Sequence, residues 1–265
     1  MHGLGNDFVI VDARTAPVEM TPARAAALAN RHTGIGCDQL IVLEPSEQAA
    51  VRMRIFNADG GEVEACGNAT RCVAAILAGE GIADAVIETA AGLLSAHGRQ
   101  SDATVDMGKP RFDWEDIPLA YAMDTSAMPV SWDGLERPMA VNVGNPHAIF
   151  FVKDADAVPL QDTGPLIEQD PLFPERVNIN VAEITGPQSL KLHVWERGAG
   201  LTLACGTGAC ATAVAAIRQG KVQSPVTVTL PGGDLSIAWE SGGSISMSGP
   251  ATLVFEGEID WANFP

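Results

Sequence analysis

The sequence predicts an α/β (α+β) fold made by internal duplication. Two homologous halves are expected, each mostly β, with antiparallel strands wrapped about one long helix. Three observations carry this. Short stretches match one another at a fixed offset. Strands of alternating polarity recur in both halves. Each half also has one Ala-rich helical run that opens on a Cys-Gly step.

The offset comes first, because a repeat governs every later reading. Ala65-Cys66-Gly67 through Ile76 matches Ala204-Cys205-Gly206 through Ile217, and the two Cys-Gly steps lie 139 residues apart. At that same offset Gly5-Asn6 falls on Gly144-Asn145, Gln39 on Asn178, and Phe56-Asn57 on Trp195-Glu196. Gly92–Ser95 resembles Gly233–Ser236 at an offset of 141, and Met107 resembles Met247 at 140. Chance does not readily produce four matches at one offset, so the repeated segments are read as 1–112 and 138–252. The predicted domains are residues 1–113 and 114–252, and the tail 253–265 reads as an extra strand without a clear partner in the repeat. A connector holding Trp114, Pro118, Pro129 and Trp132 leads into the second repeat.

In chain order, Phe8-Val9-Ile10-Val11 reads as an apolar strand. Thr21-Pro22 pairs a capping residue with Pro at the first helical position and starts a helix over 22–32. Val51–Phe56 alternates in polarity, as does Leu190–Trp195 in the second half, where His147–Val152 supplies the apolar strand. A Gly-rich turn, a Cys-Gly step and an Ala-rich helix follow each alternating strand, over 69–79 and 208–219. Alternating strands close each half, around 84–107 and 225–248. The close spacing argues against repeated βαβ crossovers.

The charge narrows the function. Sixteen Lys+Arg against 33 Asp+Glu give a formal net charge of −17. This excludes nucleic acid and an anionic membrane surface as the main partner, since both need a basic face. An anionic group on a small substrate must therefore be held locally, by backbone amides or one or two arginines. No run approaches the ~18 apolar residues of a membrane helix, and the opening Met1–Asn6 has neither a basic nor an apolar leader region. Five cysteines, an odd number in a chain this long, argue against a disulfide scaffold and for a reducing cytoplasm.

Cys66 and Cys205 stand apart from the other three. Each precedes Gly and opens a predicted helix, where unpaired N–H groups and the positive end of the dipole favour a thiolate. The same N–H groups can hold a carboxylate. If the two motifs meet across a cleft between the halves, one α-carbon would have a sulfur on each face. A thiolate would remove its proton and the opposing thiol would return one from the other side, inverting the centre. Cys37, Cys72 and Cys210 read as small buried hydrophobes. Zinc is disfavoured by the spacing within Cys66/Cys72 and Cys205/Cys210, which is not C-x2-C. Nothing marks Lys109, Lys153, Lys191 or Lys221 as a pyridoxal phosphate lysine.

Together, His2–Phe8, Phe56–Gly60, Cys66-Gly67-Asn68, Gly144–His147, Glu196–Gly200 and Ala204–Gly208 resemble the diaminopimelate epimerase family, in the right order and over nearly the whole chain. The resemblance implies conversion of LL-2,6-diaminopimelate to the meso form in lysine and cell-wall precursor synthesis. It also implies two similar domains, each a mostly antiparallel, β-barrel-like sheet around a central helix, closing on the substrate with the active site in the cleft between them; the final strand, within 253–265, packing with the first domain; no cofactor or metal; and a homodimer. Cys66 and Cys205 are then the acid/base pair. Asn6, Gln39, Asn57, Asn145, Asn178, Glu196 and Arg197 form the substrate ring, and the amides of Gly67-Asn68 and Gly206-Thr207 grip the carboxylate at the reacting centre. A substrate with two ammonium and two carboxylate groups needs both donors and acceptors, which amide side chains supply. Arg197 can fork onto the distal carboxylate and Glu196 can neutralise an ammonium. His147 is a candidate orienting or tuning residue, as is Glu196. Rival readings are a proline or hydroxyproline racemase, a thiol redox protein and a non-catalytic amino-acid-binding protein.

Overall fold

The computed structural model describes residues 1–265 except Ala65, Gln100 and Pro265, so Ala65 of the repeated motif lies outside the described residues. The chain forms two compact units, Met1–Asp106 with Gly249–Pro265, and Met107–Ser248.

Unit 1 begins with a tight hairpin, β1 (His2–Gly3) and β2 (Asn6–Asp12). Its two-residue turn, Leu4-Gly5, has φ of 57° and 88°. Positive φ at both positions is the type I′ pattern that matches strand twist. Helix α1 (Pro22–Ala29) starts as expected, with Thr21 accepting from the Arg24 N–H. It stops at Ala29 rather than residue 32 because Asn30 leaves helical geometry and its Oδ1 takes the N–H groups of His32 and Thr33. Next come β3 (Gln39–Glu44), β4 (Val51–Asn57), β5 (Glu62–Val63), α2 (Gly67–Gly79), β6 (Asp84–Thr89), β7 (Gly92–Arg99) and β8 (Asp102–Asp106). The strand path is β1-β2-β3-β4-β6-β7-β8, with β5 beside β4. The helix touches β1 near one end of this path and β7 and β8 near the other, so the sheet curls around it. Close approach explains Gly98 on β7, where a Cβ would lie 2.1 Å from the Ala74 carbonyl oxygen of α2.

Unit 2 repeats the plan after a small hairpin, β9 (Ser131–Trp132) with β10 (Leu135–Glu136). Its elements are β11 (Met139–Asn142), β12 (Pro146–Val152), α3 (Leu160–Glu168), β13 (Asn178–Gly186), β14 (Ser189–Glu196), β15 (Gly200–Leu201), α4 (Gly206–Arg218), β16 (Val226–Leu230), β17 (Gly233–Ala238) and β18 (Ser246–Pro250). The path runs β11-β12-β13-β14-β16-β17-β18. The registers repeat as well: Phe8 pairs with Gln39 and His147 with Asn178, while Leu40 pairs with Phe56 and Ile179 with Trp195.

The structure corrects two expectations. Parallel crossovers do recur. β2/β3, β4/β6, β12/β13 and β14/β16 are parallel pairs joined through α1, α2, α3 and α4. The segment between β2 and β3 holds only a short helix yet spans enough chain for the return. Antiparallel pairs remain the majority in each unit. The tail, second, is not a strand. Among the described residues one antiparallel bridge, Thr252 to His2, stands at its root, and the chain then runs on with Leu253, Val254 and Phe255 exposed. Its anchorage comes later, where Ile259, Trp261 and Phe264 pack on the unit 1 cluster of Leu28, Leu40, Val42 and Phe56. Side-chain packing, not a ladder, ties it down.

Helix α3 has no counterpart in the sequence reading, and it holds Gly164 and Pro165, residue types that ordinarily interrupt helices. Gly164 is required there: a Cβ would lie 2.5 Å from the Trp195 ring. Around that contact Phe150, Leu172, Phe173, Ile179 and Val181 form the unit 2 core.

Candidate active site

The two helix starts are built alike. Cys66 occupies the N-cap of α2 at φ −149°, ψ 111°, and Cys205 the N-cap of α4 at φ −125°, ψ 106°. Gly67-Asn68 and Gly206-Thr207 form the first turns, whose N–H groups lie outside the helical ladder. The thiols differ. Cys66 is half-buried. Cys205 is 3% exposed, and its Sγ caps the helix, accepting from the Gly208 N–H at 3.4 Å with Thr207 Oγ1 at 3.5 Å.

The expectation that the helix terminus eases ionisation fails at Cys205. Burial pushes this thiol well up, and the Glu196 carboxylate adds to it, outweighing the bonds from Thr207 and Gly208. Cys205 therefore holds its proton. Cys37 and Cys72 are buried thiols, and burial raises both, Cys72 to about 12.

In unit 1 the proposed ring residues gather at one end of the sheet. Asn6 opens β2, Gln39 opens β3, and Asn57 closes β4 opposite Gln39. Gln39 Nε2 donates to Asn57 Oδ1 at 2.9 Å, and Asn68 Nδ2 to Asn6 Oδ1 at 3.1 Å. Two residues missed in the sequence hold these amides. Asp38 accepts from Asn6 Nδ2 at 3.0 Å, within a network in which Arg31 bridges Asp7 and Asp38. Arg31 holds the Asp7 carboxyl below its ordinary value. Arg71, fully buried on α2, donates to Asn68 Oδ1 at 3.0 Å.

The same end of unit 2 brings together Asn145, Asn178, Glu196 and Arg197. Asn178 Nδ2 donates to the Pro146 carbonyl at 2.8 Å, and its Oδ1 accepts the Arg197 N–H at 2.9 Å. Thr202 Oγ1 donates to Glu196 Oε1 at 2.6 Å. The Arg197 Nη1 donates to the Glu175 carbonyl at 2.9 Å, which leaves other guanidinium N–H groups for an anion.

His147 is fully buried, and burial lowers it to about 4, so it is neutral at neutral pH. A neutral ring donates through one nitrogen only. Asn180 Nδ2 donates to Gly208 O at 3.1 Å and Thr212 Oγ1 at 3.0 Å, so its Oδ1 faces His147 Nδ1, at 3.3 Å. Asn145 Oδ1 lies 3.0 Å from Nε2, so the one proton of the neutral ring is contested by two amide oxygens. Asn180 thereby links His147 to the first turn of α4. Its signal was present in the sequence, two residues beyond Asn178 and so on the same strand face.

The chain resembles known proteins over nearly its whole length. A family model described as diaminopimelate epimerase matches residues 1–113 and 139–254. The diaminopimelate epimerase of Sphingopyxis alaskensis is 67% identical over 264 residues, covering 100% of this chain and 97% of the relative. Among solved structures, a PhzF-family phenazine biosynthesis protein of Bacillus anthracis shares the fold with TM-score 0.68 at 18% identity, over 95% of this chain and 93% of that one. A hydroxyproline epimerase from Agrobacterium vitis does so with TM-score 0.64 at 14% identity, over 96% and 89%. The matched stretches take in both helix-capping cysteines and every strand-end amide described above, and the chain belongs to the diaminopimelate epimerase family.

Proposed function

We propose that this protein converts LL-2,6-diaminopimelate to the meso form, with Cys66 and Cys205 as a two-base pair. The observation that carries the proposal is the repeated helix start, which puts one cysteine at the N-cap of α2 and another at the N-cap of α4 inside a chain of this family. The Cys66 thiolate takes the α-proton, forming S–H as C–H breaks and leaving the electron pair on carbon beside the carboxylate. The Cys205 thiol, held protonated by burial and Glu196, gives its proton to the opposite face. The product leaves with the two sulfurs' protonation reversed. First-turn N–H groups of Gly67-Asn68 and Gly206-Thr207 favour the carboxylate as charge builds on it.

Asn6, Gln39, Asn57, Asn145 and Asn178 supply paired donors and acceptors for the substrate's two amino-acid ends. Arg197 takes the distal carboxylate and Glu196 an ammonium. Each half supplies one cysteine. Membership of the family supports reading the protein as a cytoplasmic homodimer with a place in lysine and peptidoglycan precursor synthesis.

Stereochemical analysis in deuterated water tests this. Wild-type protein should epimerise diaminopimelate and incorporate solvent deuterium, and Cys66→Ala and Cys205→Ala should each lose both. Retained epimerisation in either variant sinks the two-base mechanism. Turnover of proline without diaminopimelate sinks the substrate assignment.

A further inference from the structure

The duplication gives both units the same strand ends but different means of holding the turn that follows β4 and β14. In unit 1 this turn lies directly on α1, where a Cβ on Gly60 would sit 2.1 Å from the Pro22 carbonyl oxygen. In unit 2 a side chain fills that role. Glu168, the last residue of α3, is 4% exposed. Its Oε2 accepts the Trp195 indole N–H at 2.7 Å, and its Oε1 accepts the Gly198 N–H at 3.0 Å and Arg176 Nη1 at 3.3 Å. Trp195 and Gly198 bracket Glu196 and Arg197. Arg176 stands two residues before Asn178 with φ of 61°, a left-handed backbone that a non-glycine residue adopts only when its surroundings hold it there. The two segments are further laced together by the Arg197 N–H on Asn178 Oδ1 and the Arg197 guanidinium on the Glu175 carbonyl.

We propose that Glu168 is a positioning residue for the substrate-binding end of unit 2. Its buried carboxylate fixes the Glu196–Gly198 turn against the segment leading into Asn178. The role of those side chains in binding rests on the epimerase reading above; the clamp itself rests on the hydrogen bonds. Glu168 acts through Arg197 and Asn178 and takes no part in proton transfer. Its geometry uses both oxygens as acceptors. A glutamine of the same size turns one of them into an NH2 group facing a donor, so either Trp195 or Gly198 loses its acceptor.

The test is Glu168→Gln in the full chain, read by steady-state kinetics on diaminopimelate and by amide hydrogen exchange over residues 195–201. The expected result is a KM raised about tenfold, the loss of one charge-assisted hydrogen bond, with kcat within about twofold, since proton transfer is untouched. Exchange over 195–201 should be faster, again by about tenfold. An unchanged KM, or a fall in kcat alone, overturns the positioning role whatever exchange does. If the wild-type protein does not turn over diaminopimelate, the epimerase reading falls. Exchange then decides on the clamp: unchanged rates overturn it and faster rates support it. Should Glu168→Gln fail to fold, Trp195→Phe removes one donor and carries the same expectations.

Discussion

Lowering the pH from about 7.5 to about 5 should weaken the fold through His147, and replacing His147 should remove that share of the loss. The imidazole is fully buried, and a charge on it would lie away from water and under the influence of Arg197. These effects outweigh the hydrogen bond to Asn180, so the folded ring takes its proton only near pH 4, against 6.5 for the free side chain. Between those values the unfolded chain binds more protons than the folded one, so stability falls as pH drops through the window and levels off below it. The full gap corresponds to about 3 kcal/mol, of which about 2 kcal/mol is lost by pH 5. Against a typical total of roughly 5–15 kcal/mol that is a large share. Urea unfolding at both pH values, for wild type and His147→Gln, measures it. Carboxylates elsewhere contribute alike to both proteins, so the difference between the two pH dependences isolates His147. Wild type should lose about 2 kcal/mol more than the variant. Equal pH dependence in the two proteins would refute the burial argument, as would a wild type that gains stability in acid.

Other consequences are local. A Cβ on Gly208 would stand 3.2 Å from Cys205 Sγ and 3.1 Å from Val194 Cγ2, so Gly208→Ala should push the thiol off its cap and cut turnover by about tenfold or more. Full turnover in that variant would show that the sulfur's position is not critical. Trp261 packs on the α1 cluster beneath the Arg24 guanidinium, 5.7 Å from its centroid. Trp261→Ala should therefore cost about 1–2 kcal/mol in a thermal unfolding measurement, and an unchanged midpoint would remove the tail from the stability of unit 1.

Much of this was legible because duplication writes the same local grammar twice. The Cys-Gly steps marked both long helices, and the shared offset carried Gln39 onto Asn178 and Asn57 onto Glu196, pairs that occupy equivalent strand ends. What local pattern could not show was chemistry set by long-range burial. A helix terminus argues for an acidic thiol, but at Cys205 desolvation and Glu196 win. Glu168 carries no local mark, since Trp195 and Gly198, two of its three partners, lie 27 and 30 residues away in the chain. The glycine inside α3 answers to the Trp195 ring, a contact from a distant segment, and a run of tail hydrophobics mimicked a strand although, among the described residues, no ladder extends past the Thr252–His2 bridge.

The chain's two units also differ in how they are closed. Unit 2 is one unbroken stretch, Met107–Ser248, whereas unit 1 needs both Met1–Asp106 and Gly249–Pro265. Without the second of these segments the cluster around Leu28 and Phe56 lacks Trp261 and Phe264, and His2 lacks its bridge to Thr252. Unit 1 thus bears the entropy of a long-range closure that unit 2, a single stretch, does not.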